Sequence, residues 1–245
     1  MSKEIGQIIQ ERINKLEKEK KDLIHKNKTY KGLLLKQTKI IDEMAFLIAS
    51  KPGSRIAICH NMNCDKKQAK ECKQCVREFF EKGGKADIVI IESGGNDSDY
   101  DWSLVSQNPD NPEISPKVPL NDYIRILNEM VQTVKTNGAL PVIMTMPSLV
   151  ADRWFTHICR GQNESNIKKF LGECPPDKLG KFHEMYNLNL MEYCITNNIF
   201  RVDMRKAFLE TPDYRKLMCL DGIHPNQKGY EFMATVWEKS LPEIL

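Results

Sequence analysis

A chain of 245 residues with 41% hydrophobic and 28% charged residues can bury a sizeable core, so one domain with an appendage is the natural expectation. A formal net charge of +3 is too small for nucleic acid to be the main partner, and no stretch reaches the roughly 20 apolar residues of a bilayer span. The opening residues MSKEIGQIIQER lack the apolar core of a secretion signal, so the eight cysteines are expected to be reduced thiols of a cytoplasmic protein.

Residues 1–30 read as a charged appendage and 31–245 as the main domain. In the appendage, Ile9, Ile13, Leu16, Lys20 and Leu23 recur at alternating spacings of four and three, an a/d-like seam on a helix over 4–28. So narrow a seam must pack on the domain or on a second copy of itself, and a homodimer through this helix is one expectation; a frayed, solvated helix is the other. Tyr30-Lys31-Gly32 breaks the pattern, a second helix spans 33–50, and Lys51-Pro52-Gly53 ends it.

From there the chain alternates. RIAIC over 55–59 reads as a strand and 66–82 as a helix closed by Gly83-Gly84. DIVIIE over 87–92 is a β-branched run of the kind buried on both faces of a parallel sheet. A polar loop covers 93–119, a helix 120–137, and ALPVIMTM over 139–146 is the next strand. A second excursion over 147–177 carries a short helix near Ile167. Helix 178–197, strand 199–202, a short helical piece over 204–218 and a last helix to about 238 complete the series. Strands spaced by helices in this way predict an α/β fold: a three-layer α/β/α sandwich with a mostly parallel, flavodoxin-like sheet of four to five strands, plus the N-terminal helix. In such sheets ligands bind at the carboxyl ends of the strands, here beyond the strands ending near Glu92 and Met146.

Ser93-Gly94-Gly95-Asn96-Asp97 stands at one of those ends. Its glycines permit a sharp turn with accessible N–H groups, and the Asn96 amide is a donor able to stabilise an oxyanion or, alternatively, to close an Asx turn. Asp221-Gly222-Ile223-His224-Pro225-Asn226 precedes the last helix. A carboxylate three residues before a histidine can hold one ring nitrogen and leave the other to take a proton, while Pro225-Asn226 also makes a helix start.

Taken together, GGND after a buried strand and DGIHPN before the final helix resemble the third and fifth signature blocks of the SGNH (GDSL-like) hydrolases. The likeness runs from about Tyr30 to the C-terminus and includes the stretch from Asp97 through Tyr100 to Trp102, together with RKAFLETPDYRKLMCLD before the last block. It implies a carboxylic ester hydrolase, esterase- or deacetylase-like, acting on a small-molecule ester without cofactor. It further implies Asn96 and the backbone of Gly94 and Gly95 at the oxyanion, His224 as general base and Asp221 as its orienting partner. The family's Gly-Asp-Ser nucleophile block is absent, and where its second block supplies a glycine this chain reads His60-Asn61-Met62-Asn63-Cys64.

Three explanations stand. Strand 55–59 can take the central place, with its loop bringing Asn61, Asn63 or Cys64 to the site, Cys64 then being an inert thiol or an unorthodox nucleophile. The chain can instead have lost its esterase activity and kept a binding pocket, or it can recruit another serine such as Ser93. Asp97 is a further site-lining candidate. Cys72 and Cys75 have a zinc-like spacing but fall on one predicted helix without a second pair, so no metal is expected. Arg153, Trp154, Phe155, His157 and Arg160 form a mixed aromatic and basic group above the site, read as a lid or as a loop packing on the sheet.

Overall fold

The computed structural model describes residues 56–60 and 68–244. The expected helices over 4–28 and 33–50, the boundary at residue 30, and Asn61, Asn63 and Cys64 lie outside the described residues.

Four strands, β1 (Ile56–His60), β2 (Ile88–Glu92), β3 (Leu140–Met144) and β4 (Phe200–Val202), form one parallel sheet in the order β1-β2-β3-β4. The register pairs Ile58 with Ile90, Ile90 with Val142, and Val142 with Phe200. Successive strands step in one direction, and right-handed crossovers place the connecting helices of such a series on one face. Those helices are α1 (Ala69–Glu81), α3 (Leu120–Thr136) and α6 (Pro175–Thr196). Val89, Ile91 and Ile143 meet them in one core cluster with Val76, Leu127, Met130, Val131 and Leu190. Alternate strand residues Ile88, Ile90, Val142 and Met144 point the other way. They are covered by Met204 and Phe208 of α7 (Met204–Glu210) and by Met233 and Trp237 of α8 (Gln227–Ile244). Burial on both faces explains why the strands are unbroken apolar runs rather than alternating ones.

The expected flavodoxin-like order sets the second strand of the chain outside the first. The described strands instead stand in chain order, because β1 is hydrogen-bonded directly to β2 and only α1 separates them among the described residues. Element ends come from local chemistry. Gln68 and Glu71 form a capping box for α1, Asp101 caps α2 (Trp102–Gln107), and Asp203 caps α7. Pro175 and Pro176 open α6, three residues earlier than its periodicity suggests.

Two segments expected to be largely loop carry helices. Residues 93–119 contain α2, and 147–177 contain α4 (Ala151–Ile158) as well as the expected helix near Ile167, α5 (Glu164–Leu171). These short helices hold through a third apolar cluster beyond the carboxyl ends of β2 and β3. Tyr100, Trp102 and Val105 from the first segment pack there with Ile158, Ile167 and Leu171 from the second and with Leu179 of α6. Ring pairs support it, with Tyr100 centred 5.3 Å from Phe170 and 4.9 Å from Phe182.

Ile143, fully buried in the central strand β3, reports on the sheet–helix core. Ile143→Ala is expected to cost about 3 kcal/mol and Ile143→Val about 1 kcal/mol, read as falls in the urea unfolding midpoint.

Candidate active site

The turn after β2 is built on a buried carboxylate. Asp97, fully buried, accepts from the Gly94 N–H at 3.0 Å and from the Ala69 N–H at 2.8 Å. Ala69 is the first residue of α1, so the negative charge sits on a helix N-terminus, where unpaired N–H groups and the dipole favour it. Gly94 has φ +116°, and a Cβ there would lie 2.9 Å from Met146 Sδ and 3.0 Å from the Tyr123 hydroxyl. That hydroxyl donates to the Ser93 carbonyl at 3.1 Å. Asp97 is therefore a strut beneath the turn rather than a lining residue, and the Gly94 N–H is already engaged. Gly95 is exposed and Asn96 half-buried at the strand's mouth. Glu92, the last residue of β2, has its carboxyl pushed up to about 8 by burial.

The second loop presents an imidazole on a carboxylate. His224 Nδ1 lies 2.9 Å from Asp221 Oδ2, while Asp221 Oδ1 accepts from the Ile223 and His224 N–H groups at 3.0 and 3.1 Å. Burial opposes ionisation of Asp221, but the hydrogen bond and charge of His224 and the two backbone donors outweigh it, holding the carboxyl well below its usual range. An ionised Asp221 fixes the ring proton on Nδ1 and leaves Nε2 as the basic atom. The His224 side chain is 48% exposed, so solvent and solutes reach it. The loop is anchored on both sides. Asn226 donates to the Lys216 carbonyl at 2.8 Å, and the Cys219 N–H to the His224 carbonyl at 2.7 Å.

Helix α4 clamps this loop. Gly222 has φ +85° and its carbonyl accepts from the Val150 N–H at 2.8 Å. A Cβ at Gly222 would come within 2.5 Å of the Val150 carbonyl oxygen and 2.7 Å of the Trp154 nitrogen. Arg153 Nη1 donates to the carbonyls of Arg215, Met218 and Cys219 at 2.9, 3.2 and 3.3 Å. One turn on, His157 stacks on Trp154 with ring centroids 5.3 Å apart. Burial lowers the His157 pKa; Asp221 and Asp99 pull it up, and Arg160 and His224 push it down.

A family model for GDSL-like lipases and acylhydrolases matches residues 14–237. The chain belongs to that family. Among solved structures, a putative acylhydrolase from Bacteroides fragilis aligns at 17% identity and TM-score 0.51, over 83% of this chain and 96% of its own. A GDSL-like lipase from Bacteroides thetaiotaomicron aligns at 15% identity and TM-score 0.50, over 74% and 73%. An acetylxylan esterase from Geobacillus stearothermophilus aligns at 19% identity and TM-score 0.48, over 72% and 68%. A sequence search of the curated proteins finds no match. The chain nevertheless lacks a Gly-Asp-Ser tripeptide.

The mixed group in the excursion divides. Arg153 binds backbone, Trp154 and Phe155 pack on the third apolar cluster, Arg160 is exposed, and His157 stacks on Trp154. Cys72 is buried in the main core and Cys75 is exposed, so the zinc-like pair splits across α1. No helix among the described residues is long and apolar enough to cross a membrane. Sequence reasoning missed a polar cluster beside the carboxyl ends of β3 and β4. Arg205 pairs with Glu184 and reaches His183 Nδ1 at 3.2 Å, while its backbone N–H donates to Thr145 Oγ1 at 2.9 Å. Burial and the Arg205 charge push the His183 pKa down to about 3, so the ring is a neutral acceptor. The only signal for it was a histidine and a glutamate side by side in a helical run.

Gly222→Ala is expected to destabilise by at least about 2 kcal/mol, since it combines left-handed backbone strain with a backbone clash, and to displace the histidine loop. Thermal unfolding and the NMR shift of the His224 ring read the two effects.

Proposed function

We propose that this chain hydrolyses a small carboxylic ester or acetyl ester by acyl transfer. The observation that carries the proposal is the 2.9 Å contact between His224 Nδ1 and an Asp221 whose second oxygen is locked by backbone N–H groups. About half of the imidazole's surface is open to solutes. In the proposed cycle the nucleophile attacks the ester carbonyl while His224 Nε2 takes its proton. Asp221 stabilises the resulting imidazolium, and His224 then protonates the leaving alcohol. Water deacylates the enzyme by the same base. The Asn96 amide and the exposed Gly95 N–H supply the oxyanion donors; the Gly94 N–H, engaged by Asp97, supports the turn that aims them. Chemistry of this kind requires neither metal nor organic cofactor.

The nucleophile is assigned to the segment after β1. That strand is bonded directly to the GGND strand, the place a flavodoxin-like sheet gives to its first strand, and the segment's sequence offers Asn61, Asn63 and Cys64. Cys64 is the member able to form an acyl-enzyme, here a thioester. The absent Gly-Asp-Ser tripeptide favours a second reading, a GDSL-like protein that binds an ester without turning it over.

Hydrolysis of p-nitrophenyl acetate separates the two. His224→Ala is expected to lower kcat/KM by about 10³ or more, and Asn96→Ala by about 10²-fold, largely in kcat. Identical rates for the parent protein and His224→Ala would remove the hydrolase reading and leave the binding one.

A further inference from the structure

Helix α6 carries an exposed stripe that differs from the other helix surfaces. Its inner face is buried through Leu179, Tyr186, Leu190, Tyr193 and Cys194. On the outer face Lys181, Met185, Leu188, Glu192 and Ile195 are all exposed, at successive spacings of four, three, four and three. That is the a/d spacing of a helix–helix seam. Met185, Leu188 and Ile195 are 42%, 50% and 63% exposed, three of the six large apolar side chains exposed among the described residues. The charges on this stripe are also set apart. Most outward-facing charges on α1, α3, α5 and α7 close ion pairs, such as Arg77–Glu81, Arg125–Glu129, Lys168–Glu164 and Lys206–Glu210, with Lys70 and Lys135 as exceptions. Lys181 and Glu192 enter no such pair among the described residues.

We propose that the exposed face of α6 is a self-association surface, on which the same helix of a second copy docks antiparallel. The occupant follows from the order of charges along the stripe. A parallel partner would set Lys181 on Lys181 and Glu192 on Glu192, which is repulsive at both ends. An antiparallel partner related by a two-fold axis between Met185 and Leu188 sets Lys181 of each copy against Glu192 of the other, and Met185 against Leu188. Each contact then occurs twice, as an isologous interface requires. Sliding by a heptad in either direction breaks this match, placing Leu188 on Glu192 or Lys181 on Met185. The apolar pair at the axis supplies burial, and the two flanking ion pairs fix direction and register. A single helix pair buries little, so the dimer belongs among weak, concentration-dependent associations. This inference is independent of any catalytic role and of the seam in residues 4–28.

Sedimentation equilibrium of the full chain across a concentration series tests it. Lys181→Glu and Glu192→Lys should each weaken dimerisation on the order of tenfold, and the double exchange should restore it by recreating both pairs in reverse. Leu188→Glu should abolish it. All these side chains are exposed, so circular dichroism melting should match the parent and separate dissociation from unfolding. A protein that stays monomeric at every concentration would overturn the proposal. So would a dimer indifferent to the single exchanges, which would place association elsewhere, or single exchanges that the double exchange fails to rescue.

Discussion

One carboxylate holds the site end of this protein together. Asp97 is fully buried, and its charge is compensated by the Gly94 N–H on one side and the α1 N-terminus on the other. Its backbone carbonyl accepts from Val118, which leads into α3. Three segments far apart in sequence thus meet at one residue, the turn after β2 and the start of the first crossover helix at its carboxylate and the approach to the second at its backbone carbonyl. A buried ion is stable only when its acceptor positions are filled, so each segment is held in place by the others. The position of Asn96 at the mouth of β2 is a result of that arrangement. The Asn96 turn cannot relax without breaking the bond from the Gly94 N–H to Asp97.

Helix α4 does the same work for the other loop. It supplies the surface against which Gly222 fits without a side chain, and the guanidinium that gathers the carbonyls of 215, 218 and 219. The Asp221–His224 pair is therefore aimed by an element inserted after β3, although both residues belong to the chain after β4. The third apolar cluster joins that insertion to the segment after β2. What looks from the sequence like two separate long excursions is one packed layer over the carboxyl end of the sheet.

Much of the framework was legible in the residues. The β2 run IVIIE is long, β-branched and uninterrupted, and it proved to be a strand buried on both faces. GGND and DGIHPN were visible because their chemistry is local, a turn and a carboxylate–imidazole spacing. The illegible parts depend on distant partners. Helix α2 is six residues long and too short to show a period, and α4 is held by contacts with the histidine loop. The role of Asp97 could not be read, because its acceptor position is filled from Ala69, 28 residues earlier. His183 beside Glu184 looked like ordinary helix surface, and only the arrival of Arg205 from α7 turns it into a part-buried polar knot.

The three carbonyls bound by one Arg153 nitrogen have a mechanical consequence. Their common anchor means that displacing one guanidinium removes a donor from all three acceptors together, each keeping its local partner, from Met218, Asn226 and Gly222 respectively. A change at that single side chain therefore reaches the histidine loop at three points of its backbone simultaneously.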